Sequence, residues 1–450
     1  MDGVILTLHE TKIPLLKLKN QKLGRVERVK FITKTLYDTC KKRGKELIVR
    51  PFASIAEDYE MMTQAYEEIS KDLVIMDKWT QFDWSLCLPH NKFFSKIKSN
   101  PLLVEADIFG EYFGKGNLPI FLYNHIINKY NYCENFKPLG YCSRIDRAGA
   151  HNFGTVNEVN YTIMLSLING KNVDESVDKF FEDKYEKYGQ TVKELMLETE
   201  EIQKSIFYIN GYYFTELSRF PSLNHCKNHF YFEIMRDNYC LNSNEWFIPI
   251  DWKRGDLEDL FKEKSVAVQK SEMLFEKVKN LNGKLSEDDY KDLYYKFGNL
   301  YYVARIWQEL LCIFTYYVKA LESDFSYEQK LYDSLDLLVK ISREGKMLFG
   351  NKFYCVAVDS AIANTLVNDK VVEFSKELRS SFLIEKKARE NHEGLTDFIV
   401  CGGALEGHGL KKEVNFSDTL IINDELCRIP GSFVLDGELL ANVNGTSAEC

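Results

Sequence analysis

Between Gly3 and about Tyr188 the chain alternates short β-type runs with longer helical ones, and that alternation admits few folds besides βα units stacked around a parallel sheet. The strand-like runs are Val4 to Leu8, Glu46 to Phe52, Leu73 to Asp77 running on toward Asp83, Leu102 to Phe109, and Gly140 to Ile145. Between the first two, Val26, Val29, Ile32, Leu36 and Cys40 recur at helical spacing, and Ala56 to Ser70 reads as a second helix. Asn117 to Tyr130 reads as a third, with a proline near its first turn, and Asn157 to Leu167 and Asp174 to Tyr188 as a closing pair. A closed barrel of this type has about eight strands. The expected fold is therefore α/β, a (β/α) TIM-type barrel lacking its first three strands, so that Met1 falls inside the fold.

From Lys193 to about Asn391 the pattern is almost wholly helical, with aromatic-rich segments at Glu201 to Phe214, Ser265 to Asn280, Tyr290 to Leu321 and Tyr327 to Arg343. Beyond it the composition shifts to Gly, Asn and Asp with short alternating apolar runs, as in a few antiparallel strands or an extended tail. The expected organisation is residues 1–190 as the later part of the barrel, 191–394 as an α-helical domain and 395–450 as a short β-rich tail.

A net charge of −9 without a basic stripe argues against a nucleic-acid partner. The opening MDGVILTLHETK is too short in apolar residues for a signal sequence, and no run approaches the roughly 18 apolar residues of a spanning helix, so no membrane partner and a cytoplasmic location are expected. Eleven cysteines without CxxC pairs fit reduced thiols.

Three acids close strand-like runs: Glu10 after GVILTLHE, Asp83 in LVIMDKWTQFDW and Glu111 in LLVEADIFGEYFGKG. In a (β/α) barrel such positions share one rim. Inverting hydrolysis of a glycosidic bond needs one protonated carboxyl on the leaving oxygen and one ionised carboxylate on water. Glu10 is the candidate acid, Asp83 and Glu111 the candidate bases. Acids at strand ends also cap helices or face solvent, and that reading stands beside the catalytic one. By strand parity Asp77, Trp79, Gln81 and Asp83 share a face, as do Glu105, Asp107, Phe109 and Glu111, so both bases are expected to project to one interior. Glu105 and Asp107 would then be buried and need partners such as Lys78, Arg50 or Arg144.

The runs LVIMDKWTQFDWSLCLP, LLVEADIFGEYFGKG and GYCSRIDRAGAHNFGTVNEVNY resemble the later barrel strands of the xylan-debranching α-glucuronidase family, over roughly residues 3–190. The resemblance implies Asp83 and Glu111 as paired candidates for the base on the sixth and seventh strands. It implies Glu10, preceded by His9, as general acid on the fourth. It further implies Lys78 as a partner of the sugar carboxylate, Arg50 in IVRPF as a substrate contact, and Asp146 and Arg147 as others. The implied activity is inverting hydrolysis of a terminal α-linked uronic acid or related sugar from a plant-polysaccharide oligosaccharide, with no cofactor and a homodimer contact through the helical region. Leu6 stands where the family has a lysine, so a neutral sugar is an alternative substrate, and a non-catalytic carbohydrate-binding or structural chain is an alternative function.

Trp79, Trp84, Tyr112 and Phe113 flank the acids and are candidates for sugar stacking, Trp84 above all, with simple packing as the alternative; Trp84 and Tyr112 are the two taken as substrate-binding. His225 and His229 with Cys226 and Glu233 lack a CxxC or HExxH context, so no metal is expected. The glycines of CGGALEGHG lack the strand-to-helix setting of a phosphate loop and read as turns.

Overall fold

A computed structural model of the chain describes residues 2–8, 23–51, 56–80, 84, 86, 90–147, 150–209, 212–213, 218, 220–221, 223, 256–322, 326–353, 367–391, 431–435 and 438–443. Five parallel strands form one sheet in the order β1-β2-β3-β4-β5: β1 Gly3–Thr7, β2 Glu46–Arg50, β3 Val74–Lys78, β4 Leu102–Asp107 and β5 Gly140–Arg144. Spatial order equals chain order, as in a partial (β/α) barrel, and the expected strands match to within two residues at each end.

Helices α1 (Arg25–Lys41) and α2 (Ala56–Glu67) link the first three strands. Leu47 and Val49 of β2 and Ile75 of β3 join Val29, Met62, Ala65 and Tyr66 from the two helices in one apolar cluster. That cluster defines the helix-facing side of the sheet, and the period of two along a strand sends the alternate residues to the other face. Leu6 packs against the same cluster.

Two segments depart from the expected pattern. Residues 117–122 precede α3 (Tyr123–Glu134) and are not helical. Their backbone is hydrogen-bonded by side chains instead. Asn157 accepts from Ile120 N at 2.9 Å and donates to Leu118 O at 2.8 Å. Asn160 accepts from Leu122 N at 2.9 Å and donates to Ile120 O at 3.0 Å. Thr199 Oγ1 accepts from Phe121 N at 3.0 Å, and Gln203 Nε2 donates to Pro119 O at 2.8 Å. A buried backbone must pair with something, and here amide side chains take the place of a helix or a neighbouring strand. The second departure follows Phe207: the expected helix over Glu201 to Phe214 ends there, and Tyr208–Ile209 pairs antiparallel with Tyr212–Tyr213.

The chain divides into two compact units, one built on Met1–Lys204 with Leu281–Leu293, the other including Ser205–Cys240 and Tyr294–Cys450. Past β5 the chain continues with the two-residue strands β6 (Asp146–Arg147) and β7 (Ala150–His151) and the helices α4 Val159–Ile168, α5 Val173–Tyr185, α6 Gly189–Leu197 and α7 Thr199–Phe207. Asn172 caps α5, accepting from Asp174 N and Glu175 N. Beyond α7 the described helices are Asp256–Lys279, Glu287–Glu322, Tyr327–Phe349 and Val367–Asn391, and Gly431–Leu435 pairs antiparallel with Glu438–Val443. In the second unit Trp307, Leu310, Leu311, Phe314, Leu335, Leu338 and Phe382 are buried, as the helical spacing of their apolar residues requires. Among the described residues no helix is long and apolar enough to cross a membrane.

Candidate functional site

The register decides which side chains meet at the C-terminal rim. Lys78 lies opposite Glu105, Glu105 opposite Cys142, and Asp107 opposite Arg144, so these five share one face. Arg50 joins them from β2. Its guanidinium clasps the Glu105 carboxylate across β3, Nε to Oε2 at 2.5 Å and Nη2 to Oε1 at 3.0 Å, with each residue only 8% exposed. The fork geometry of arginine suits this bidentate grip on a buried carboxylate. Glu105 thereby has one of the partners its burial demanded.

Asp77 is a correction to the parity reading. It is in register with Val104, on the helix-facing side, and is shut off from solvent there. Asn91 donates to its Oδ2 at 2.9 Å and the Lys78 N–H to its Oδ1 at 2.9 Å. Burial pushes its carboxyl up to about 7, against the lowering effect of those two hydrogen bonds and of Lys78. The strand ends at Lys78, so it is Lys78, not Asp77, that shares a face with Glu105.

Glu111 reaches the rim by a loop. The sequence after β4, Ile108 to Gly116, carries positive φ at Gly110, Gly114, Lys115 and Gly116. A Cβ at Gly114 would lie 2.3 Å from Leu118 Cγ, and one at Gly116 2.5 Å from Phe109 Cε2, so both turns need glycine for space as well as for φ. The Asp107 carboxylate accepts from three consecutive loop amides: Phe109 N at 2.9 Å, Gly110 N at 3.2 Å and Glu111 N at 2.8 Å. Its burial raises its pKa, offset by those amides and by Arg144. Asn152 Nδ2 donates to Ile108 O at 3.0 Å, and Gly110 O accepts from Phe113 N and Lys115 N. From this loop Glu111, 3% exposed, accepts a hydrogen bond from Arg144 Nη1.

Trp84 lies under two cations, with Lys78 Nζ 4.9 Å and Arg144 Cζ 5.9 Å from its ring centroid. Such contacts hold a cation against the electron-rich face of the indole. Trp84 and Tyr112 are 3% and 2% exposed, so neither ring is open as a stacking surface in this structure. Trp79 and Phe113 are also buried.

The structure thus brings together Arg50, Lys78, Trp84, Glu111 and Arg144, the last expected from the sequence only as a charge partner of Glu105 or Asp107. Asp146 is exposed on β6, beyond the end of β5. Glu10, with His9 beside it, and Asp83 lie outside the described residues, as do the side chain of Arg147, the His225 to Glu233 group and the glycines of CGGALEGHG. Among the described residues no group of three His, Cys, Asp or Glu is placed to hold a metal. The signal for Arg144 was available in the sequence: it ends the strand GYCSR, one βα unit after Glu111, where a parallel register brings successive strand ends to one edge.

No family model matches the chain, and no curated protein matches it. Among solved structures it is similar to a GH138 enzyme targeting pectin rhamnogalacturonan II, at 12% identity and a TM-score of 0.57. The match covers 89% of this chain and 52% of that one, so the chain spans about half the length of that enzyme. At this identity the likeness is one of fold, shared with a glycoside hydrolase.

Proposed function

We propose that the chain is a carbohydrate-active hydrolase of the glycoside hydrolase type, cleaving a terminal α-linked uronic acid from plant-polysaccharide oligosaccharides with inversion. The observation that carries this reading is Glu111 at the C-terminal rim of a parallel sheet, held by Arg144 on the face that also presents Lys78 and Arg50. In (β/α) barrels that rim is where the chemistry sits. Cations grouped there suit a substrate whose own carboxylate must be paired when water is excluded. The target of the GH138 enzyme, pectin rhamnogalacturonan II, is a plant polysaccharide as well. In this reading Glu10 protonates the leaving oxygen, and Glu111 with Asp83 activates water on the opposite sugar face. Lys78, Arg50, Asp146 and Arg147 contact the sugar, and Trp84 and Tyr112 line the site. Residues 1–190 form the catalytic part, 191–394 a helical domain that supports a homodimer, and 395–450 the tail. A cytoplasmic placement suits short imported oligosaccharides.

A second reading, the same hydrolysis on a neutral sugar, is favoured by Leu6, which packs in the helix-side cluster, and by Arg50, which Glu105 engages at both ends of its fork. The test is to offer uronosyl and neutral glycosyl oligosaccharides to one preparation and follow the anomer released by NMR. Uronosyl turnover with inversion, and loss in Glu10→Gln that is larger for poor than for activated leaving groups, supports the first reading. Neutral-sugar turnover selects the second. Binding of sugars without any product removes both.

A further inference from the structure

We propose that Asp107 is the positioning residue of this site: one buried carboxylate fixes the backbone from which Glu111 projects and faces the arginine that holds the Glu111 side chain. The inference rests on the hydrolase reading and adds to it a residue with no contact to substrate. Asp107 is the last residue of β4 and is 3% exposed. Its two oxygens are divided between tasks. Oδ1 accepts from Phe109 N and Gly110 N, closing the turn, while Oδ2 accepts from Glu111 N at 2.8 Å, the backbone atom of the candidate base itself. In the register of β4 and β5 Asp107 lies opposite Arg144, whose charge stabilises its ionised form. Arg144 in turn donates to Glu111. Asp107 thus holds the Glu111 amide, and the Glu111 carboxylate is held by Arg144, which stands opposite Asp107 on the neighbouring strand.

The loop cannot hold itself in this conformation by residue preference alone. Lys115 adopts φ +46, which side chains other than glycine seldom take, and Gly110 adopts φ +82. Asp107 supplies the acceptors for three amides at the start of that turn, just past the end of β4. Asparagine at 107 has the same shape but only one acceptor oxygen. Either its amide nitrogen faces the Glu111 N–H or it faces those of Phe109 and Gly110, and donor meets donor in both cases. The base should then lose its aim while the substrate contacts proposed for Lys78 and Arg50 persist.

The test is a double-mutant cycle of Asp107→Asn and Glu111→Gln on the full chain, with folding checked by circular dichroism and turnover measured on the best oligosaccharide substrate. Asp107→Asn should lower kcat roughly a hundredfold, the scale of a misplaced general base, with KM held within about threefold. The double variant should be no slower than Glu111→Gln alone, because Asp107 acts through Glu111. Additive losses, or an unchanged kcat in a folded Asp107→Asn, overturn the proposal. If that variant does not fold, Asp107→Glu, which keeps the charge but displaces the oxygens, is read by the same criteria. Should the wild type turn over no glycoside, the hydrolase reading fails on its own account, and amide hydrogen exchange decides the remainder. Faster exchange at Phe109, Gly110 and Glu111 in Asp107→Asn supports the hold on the loop, and unchanged exchange overturns it.

Discussion

Replacing Asp77 by asparagine should leave the protein progressively more stable than the wild type as pH rises from acid to alkaline. The folded carboxyl, buried against the helix layer, releases its proton at about 7, whereas a free aspartate does so near 3.8. Between those values the native state binds the extra proton. The stability this confers is complete below about pH 4 and is lost as pH rises through about 7. A difference of this size corresponds to about 4 kcal/mol in total, of which about 3 kcal/mol falls between pH 5 and pH 8. Asparagine never ionises, so it escapes that loss. It has one acceptor for two donors, however, since Asn91 Nδ2 and the Lys78 N–H both point at residue 77. Asn91 cannot turn its amide over freely, because its Oδ1 accepts from Phe93 N at 3.0 Å. A donor left without an acceptor costs about 1–3 kcal/mol. Asp77→Asn should therefore lie within about 1 kcal/mol of the wild type at pH 5 and be more stable by about 1–3 kcal/mol at pH 8. Guanidinium unfolding at the two pH values reads this directly, and taking variant minus wild type cancels the other titrating groups. A difference that moves by less than about 1 kcal/mol between pH 5 and pH 8 would refute the buried, uncharged Asp77 and the face assignment behind it.

Breaking the buried fork by Arg50→Met or Glu105→Gln should cost about 3–5 kcal/mol, and Arg50→Met with Glu105→Met together should recover much of it, as measured by chemical denaturation. Asn157→Ala leaves Ile120 N and Leu118 O without their partners inside the protein and should cost about 2–5 kcal/mol, with faster hydrogen exchange at Ile120 as the local signature. Cys142 is exposed on the face that carries Arg50, Glu105 and Arg144; partial burial and Glu105 raise its thiol pKa. Alkylation should be slow at neutral pH, accelerate above its ordinary pKa of 9, and be retarded by any sugar that occupies the rim. Mass spectrometry of the 142 peptide with and without oligosaccharide measures this.

The first four strands of the parallel sheet are legible because each carries a compact apolar run, and local pattern suffices for such runs. The segment at 117–122 is not. Its proline and apolar residues suit the first turn of a helix, yet Asn157 and Asn160, some 40 residues away, supply its hydrogen bonds. No window of local sequence contains those partners. Parity failed at β3 for a related reason. Counting alternate residues back from Asp83 assumed that the strand continues, but it ends at Lys78, and the register with β4 sends Asp77 to the helix side.

By itself the sequence determined the order of strands and helices, the acids near strand ends and the cations close by, since all of these follow from residue type and spacing along the chain. Only the tertiary structure decided that Arg50 belongs to Glu105, that Arg144 belongs to Glu111, and that the Asp107 oxygens accept from three loop amides. Those choices depend on which strand lies beside which, and in what register. Pairing of that kind is set by packing the sheet against its helices, and several sets of partners are equally compatible with the residues taken one at a time.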